Sequence, residues 1–107
     1  MDTFVNHILE LLQPLGTIYA KRMFGGVGIF KDKSMFALIS ANTLYLKADV
    51  KNRQRFEEMN LERFSYIRSG KRTYLSYYQA PTDALEDSAI MLQWAMQSID
   101  AAARNIK

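Results

Sequence analysis

The segment Arg22-Met23-Phe24-Gly25-Gly26-Val27-Gly28-Ile29-Phe30 joins aromatic and β-branched residues to three glycines, and it constrains the fold more than any other stretch. Aromatic and β-branched side chains favour a strand, whereas glycine weakens a strand interior. Glycines in such a setting mark a place where another group approaches the backbone closely or where the strand bends. Lys31-Asp32-Lys33-Ser34 follows as a turn, and Met35 to Ile39 and Thr43 to Lys47 follow as further strand-like runs. The succession reads as an antiparallel meander with strands at roughly 20–30, 34–40 and 43–48.

Helical spacing appears on both sides of this meander. Phe4, Ile8, Leu11, Leu12 and Leu15 recur behind Asp2, which predicts an amphipathic helix over 3–13 that stops near Pro14-Leu15-Gly16. Asp49 is placed to cap a short polar helix over about 50–59, with Val50, Phe56 and Met59 turned inward. Phe64 to Arg68 and Arg72 to Gln79 flank Ser69-Gly70-Lys71 as a hairpin, with glycine supplying the positive backbone angle. After Pro81, Thr82 or Asp83 opens a short helical turn. Asp87 or Ser88 then caps a longer helix whose apolar face holds Ile90, Met91, Trp94, Ala95, Ile99 and Ala102-Ala103. The order α-β-β-β-α-β-β-α-α predicts an α+β fold, an antiparallel sheet of about five strands with helices packed mainly on one face. No repeat or linker divides the chain, so residues 1–107 are expected to form a single domain.

Composition removes several classes. A hydrophobic content of 49% with 12% aromatic residues excludes disorder. No run approaches the roughly 18 apolar residues of a membrane span, and Met1-Asp2-Thr3 lacks the profile of a signal peptide. The chain has no cysteine, which excludes a disulfide framework and thiol catalysis. The expectation is a cytoplasmic domain with no membrane contact.

The glycines do not form a phosphate loop. Gly26-Val27-Gly28 continues into Ile29-Phe30 and another strand, so no helix amino terminus is in place to receive a phosphate. Gly25, Gly26 and Gly28 are therefore read as structural, permitting a bulge or a close approach of a terminal helix. His7 is the only histidine and lies beside the apolar face of its helix, the position of an ordinary surface residue. One histidine and no cysteine cannot build a usual structural metal site, so no metal and no cofactor are expected. Glu57 and Glu58 are adjacent and diverge on a helix. Asp83, Glu86 and Asp87 suit caps and first turns, and Ser76 and Ser88 lack the turn that would signal a nucleophile. No acid/base pair emerges and none of these residues is assigned a catalytic role; the chain is expected not to be an enzyme.

Charge is unevenly placed. Residues 21–72 hold 12 Lys or Arg against 5 Asp or Glu, a net +7, while the remainder carries a net −4. Such blocks predict an acidic partner or complementary self-association as a homodimer. Cations that keep a sheet edge from pairing explain the same pattern. Arg53, Arg55, Lys71, Arg72, Tyr74 and Tyr78 are the candidate contacts to nucleic acid or to a partner, because aromatics on a sheet beside cations can stack bases and hold phosphates. The strand period puts Tyr74 and Tyr78 on one face with Arg72, and Tyr77 on the other with Leu75. One of these faces must be core, so at least two of the tyrosines are expected to be packed, and any DNA binding is expected to be weak at most.

The ordered set Leu15-Gly16-Thr17-Ile18, Arg22 to Phe30, Met35-Phe36-Ala37-Leu38-Ile39, Leu44-Tyr45-Leu46-Lys47, Gly70-Lys71, Ser76-Tyr77-Tyr78 and Leu85-Glu86-Asp87 resembles the N-terminal domain of TfoX/Sxy-type regulators of natural competence. Lys33 and Asn42, at two turns, stand where glycine is more typical of the family, and Ser88 where proline is common. The resemblance implies a non-catalytic domain that promotes expression of DNA-uptake genes through protein partners at promoters. The implied partner is a cAMP receptor protein-type transcription factor or RNA polymerase. A free-standing protein-binding module is the alternative role. The family resemblance also implies a following domain similar to helix-hairpin-helix modules. Ser98 to Lys107 keeps a helical pattern without a glycine or proline stop, which predicts the N-terminal half of a longer regulator.

Overall fold

The computed structural model describes residues 2–23 and 25–105. Phe24, within the glycine-rich motif, and Ile106 and Lys107, in the terminal helical pattern, lie outside the described residues. Helix α1 (Thr3–Leu11) begins where Asp2 accepts a 2.8 Å hydrogen bond from the Val5 amide, and a 3₁₀ turn at Gln13–Leu15 ends at Gly16 with φ +90°. Strands β1 (Ile18–Met23), β2 (Gly26–Lys31), β3 (Ser34–Ser40) and β4 (Thr43–Lys47) follow as a meander. Helix α2 (Arg53–Glu58) leads to the hairpin β5 (Arg63–Arg68) and β6 (Lys71–Gln79), then a 3₁₀ turn (Thr82–Leu85) and helix α3 (Ser88–Arg104). The strands form one antiparallel sheet in the order β1-β2-β3-β4-β6-β5.

The fold is α+β, with six strands where the sequence reads about five. The extra strand comes from the glycine-rich segment. What reads as a strand over 20–30 is a hairpin, β1 and β2, that reverses beside Gly25, whose φ of +74° suits glycine. Gly26 lies so close to β3 that an added Cβ would fall on the Ile39 carbonyl oxygen. The glycines thus supply both the bend and the close approach; the group that approaches Gly26 is the neighbouring strand. A register shift between Ile29 and Phe30 against β3 supplies the bulge.

Val5 and Ile8 of α1, Leu12 at its C-cap, and Met91, Trp94, Ala95 and Ala102 of α3 pack with Ile29, Ala37, Ile39, Leu44, Leu46 and Tyr78 of the sheet. Phe56 of α2 joins them, fully buried. The other inward contacts expected of that helix are corrected by the structure. Val50 is 80% exposed and Met59 51% exposed, because residues 50–52 form a turn and the helix occupies only 53–58. Asn52 takes the capping position and is buried, its side-chain carbonyl accepting from the Asp49 amide at 2.7 Å and its amide donating to Lys47 at 3.0 Å. Asp87 caps α3 by accepting from the Ile90 amide at 3.1 Å.

Candidate functional site

The six candidate contact residues fall on two elements, α2 and β6, and the structure divides them into a packed group and an exposed group. Phe56 stacks on Tyr78 with ring centroids 5.3 Å apart and meets Trp94 at 5.1 Å. The Arg55 guanidinium lies 4.4 Å from the centroid of Trp94, and Arg53 pairs with Glu57 at 3.6 Å. The Tyr78 hydroxyl donates to the Glu57 carboxylate at 3.2 Å. Burial first, and then that carboxylate, push the Tyr78 phenol above its ordinary range. Tyr78 is a core residue, and Arg55 is held by packing.

Lys71, Arg72 and Tyr74 belong to the exposed group. β4 pairs with β6 only at Tyr77–Gln79, so the distal half of the β5–β6 hairpin extends beyond the rest of the sheet. Its turn carries positive φ at both Ser69 and Gly70. Tyr74 is 55% exposed and Ile67 59% exposed, on the side of the sheet that bears the helices. Arg72 donates to the Ser65 hydroxyl at 2.8 Å, which fixes its stem along the hairpin.

Arg63 links the two groups and is missing from the sequence-based set. Its Nε donates to the Leu75 carbonyl at 2.8 Å, and its guanidinium lies 5.9 Å from Tyr74 and 6.0 Å from Tyr78. Strand alternation alone does not find it, because a register shift between Arg63 and Ser65 changes which residues of β5 oppose β6.

The sheet face away from the main core is aromatic as well. Tyr19 stacks on Phe30 at 5.1 Å with rings 4° from parallel, and Tyr45 meets Phe64 edge-on at 4.9 Å. Leu38 and Tyr77 are buried here by sheet neighbours, outside the main core cluster. The Tyr77 hydroxyl donates to the Met35 carbonyl at 3.1 Å, and burial raises that phenol to about 12, so it stays a neutral donor at physiological pH. Lys47 lies 5.1 Å over the Tyr77 ring, and desolvation lowers its pKa.

A bidentate pair ties the end of α3 to the loop before α2. Arg104 donates to the two Asp49 carboxylate oxygens at 2.6 and 2.9 Å, and chiefly these bonds hold the Asp49 carboxyl at about 2, against an ordinary 3.8. A lowered folded-state pKa contributes stability that is full above the ordinary value and is lost as pH falls toward the folded one. The melting temperature should therefore drop between about pH 4 and pH 2 partly through this pair. Asp49→Asn should flatten that part of a melting-temperature profile; an unchanged profile contradicts the assignment.

His7 donates from Nε2 to the Leu85 carbonyl at 2.7 Å and so fastens α1 to the 3₁₀ turn. Among the described residues no three His, Asp or Glu side chains gather as metal ligands. A concavity of about 670 Å³ beside the β1–β2 turn is lined by mainly apolar or neutral residues with Asp2 and Arg22 as its charged groups. Asp2 is already engaged as the α1 cap. Among the described residues no helix is long and apolar enough to cross a membrane.

Residues 10–102 match the family model of the TfoX N-terminal domain. The chain belongs to this family. It is 30% identical over 78 residues to DNA transformation protein TfoX1 of Aliivibrio fischeri, covering 73% of this chain and 37% of that protein. It is 27% identical over 95 residues to protein Sxy of Escherichia coli, covering 89% of this chain and 46% of that one. The chain thus spans less than half the length of these curated relatives. The matched range takes in all six strands, α2 and most of α3, so the matched part of this chain includes the β5–β6 hairpin and the aromatic sheet face.

Proposed function

We propose that this TfoX N-terminal domain is a non-catalytic regulatory module for DNA transformation that acts through a protein partner at promoters. The observation that carries this reading is the similarity, over 73% of the chain, to a protein named for DNA transformation. The geometry is consistent with it. The exposed aromatic and cationic groups lie on a hairpin and a sheet face, as in a contact surface, and among the described residues they do not converge with a base or a metal-ligand group. The partner is a cAMP receptor protein-type transcription factor or RNA polymerase, and the setting is the cytoplasm.

The test uses purified proteins. The chain is titrated against purified cAMP receptor protein and purified RNA polymerase. A competence-promoter reporter is followed in parallel in cells lacking their own regulator. Saturable binding to one of the two proteins together with reporter activation supports the reading. Absence of binding to both with a silent reporter overturns it.

A further inference from the structure

The distal β5–β6 hairpin presents Arg68, Lys71 and Arg72 with no neutralising carboxylate, and we propose that it is a contact for the phosphate backbone of duplex DNA. Residues 63–79 contain four cations, Arg63 with these three, and no Asp or Glu. Among the described residues the ion pairs are Arg53–Glu57 and Arg104–Asp49, so the hairpin cations keep their full charge. The register places Arg68 directly opposite Lys71. Like charges opposite each other across an antiparallel pair destabilise it. An anion bound at that pair offsets the repulsion, and Arg72, the next residue along the strand, turns to the opposite face with Tyr74, so the ribbon carries positive charge on both faces.

Shape selects the anion. The hairpin is a two-stranded ribbon, with strands roughly 4.8 Å apart, and it stands beyond the point where β4 ceases to pair with β6. The major groove of B-form DNA, about 12 Å wide, admits such a ribbon, whereas the major groove of A-form RNA is too deep and narrow. Tyr74, on the same face as Arg72 and 55% exposed, is placed to donate its hydroxyl to a phosphate oxygen. The α2 cations are not part of this contact, since Arg53 is paired with Glu57 and Arg55 is packed on Trp94. Phosphate contacts position a protein and carry no sequence information, so the hairpin adds affinity without choosing the promoter. This contact is independent of the protein-partner reading.

The test is an anisotropy titration of the full chain against a labelled duplex of about 20 base pairs at several salt concentrations. The expected dissociation constant is about 10⁻⁴ to 10⁻⁶ M at physiological salt, with no preference between a competence-type promoter and a scrambled one. Three phosphate contacts give a slope of log K on log salt of about −2.7. The triple variant Arg68→Ala/Lys71→Ala/Arg72→Ala should bind at least tenfold more weakly at low salt and lose that slope. Arg53→Ala should stay within twofold of the parent. Lys71→Glu, a single exposed change, repeats the test if the triple variant fails to melt cooperatively. Unchanged affinity and slope in a folded variant overturn the proposal. So does aggregation of the variant with unchanged DNA affinity, which assigns the cations to edge protection. Equal affinity for duplex RNA, or equal competition by poly-glutamate, also overturns it, the latter in favour of an acidic protein surface.

Discussion

Phe56→Ala should destabilise the domain by about 3–5 kcal/mol, the range for removing a buried phenylalanine ring. Helix α2 has six residues, too few to hold itself together in water, and Phe56 is its one buried side chain. That ring lies between Tyr78 of the sheet and Trp94 of α3, so its loss opens contacts on both sides. The turn after α2 closes on the main-chain carbonyl of the same residue, which accepts from the Met59 and Leu61 amides and which the alanine variant keeps, so the loss measured is that of the ring. A domain of this size shifts by about 4–8 °C per kcal/mol, so the melting temperature should fall by well over 10 °C. Phe56→Leu should recover much of the loss. Urea unfolding of the two variants checks the value, and a cost below about 1 kcal/mol for the alanine variant means that α2 is anchored elsewhere.

Phe56 also shows what single-sequence reading can and cannot reach. Its burial follows from being an aromatic residue in an otherwise polar stretch, and the sequence places it inward. Val50 and Met59 look equally apolar in the same stretch but are exposed: Asn52 and Asp49 use their side chains to build a turn around Val50, and the helix ends at Glu58, before Met59. The strands beginning at Ser34, Thr43, Arg63 and Lys71 agree with the sequence to within a residue or so at either end. Each is bounded by a two-residue turn whose polar or glycine residues are visible in the chain. The reversal at Gly25 was not legible as a hairpin, since a glycine run signals a bend without its angle.

The candidate site was legible as composition and not as geometry. The excess of Lys and Arg over residues 21–72 is plain in the sequence. Its division into packed and exposed cations depends on tertiary neighbours. Arg55 covers Trp94, whereas Arg72 lies on a projecting hairpin beside Ser65. Tyr74 and Tyr78 share a face, as the strand period requires, but only Tyr78 lies beneath α2, which packs against the near half of β6. The pairing of Asp49 with Arg104 joins residues far apart in the chain and has no local signal.

Gly26→Val should destabilise the domain by roughly 1–3 kcal/mol, and Gly26→Ala should already impose much of that cost. The first carbon of any side chain there meets the Ile39 carbonyl, a backbone atom held in the β2–β3 ladder. Relief requires β2 to move away from β3, which weakens the adjoining end of the ladder at Val27 and Ile39. Gly28 gives a contrast within the same strand. A Cβ at Gly28 meets the thioether sulfurs of Met35 at 2.6 Å and Met23 at 3.2 Å and the Phe30 ring at 3.2 Å, all side-chain atoms. Methionine has three rotatable bonds and adapts to such intrusions, so Gly28→Ala should cost less than about 1 kcal/mol. Thermal unfolding of the two alanine variants side by side measures the difference. Equal costs mean that β2 moves freely against β3; a stable Gly26→Ala variant that has lost its partner would assign this glycine to recognition.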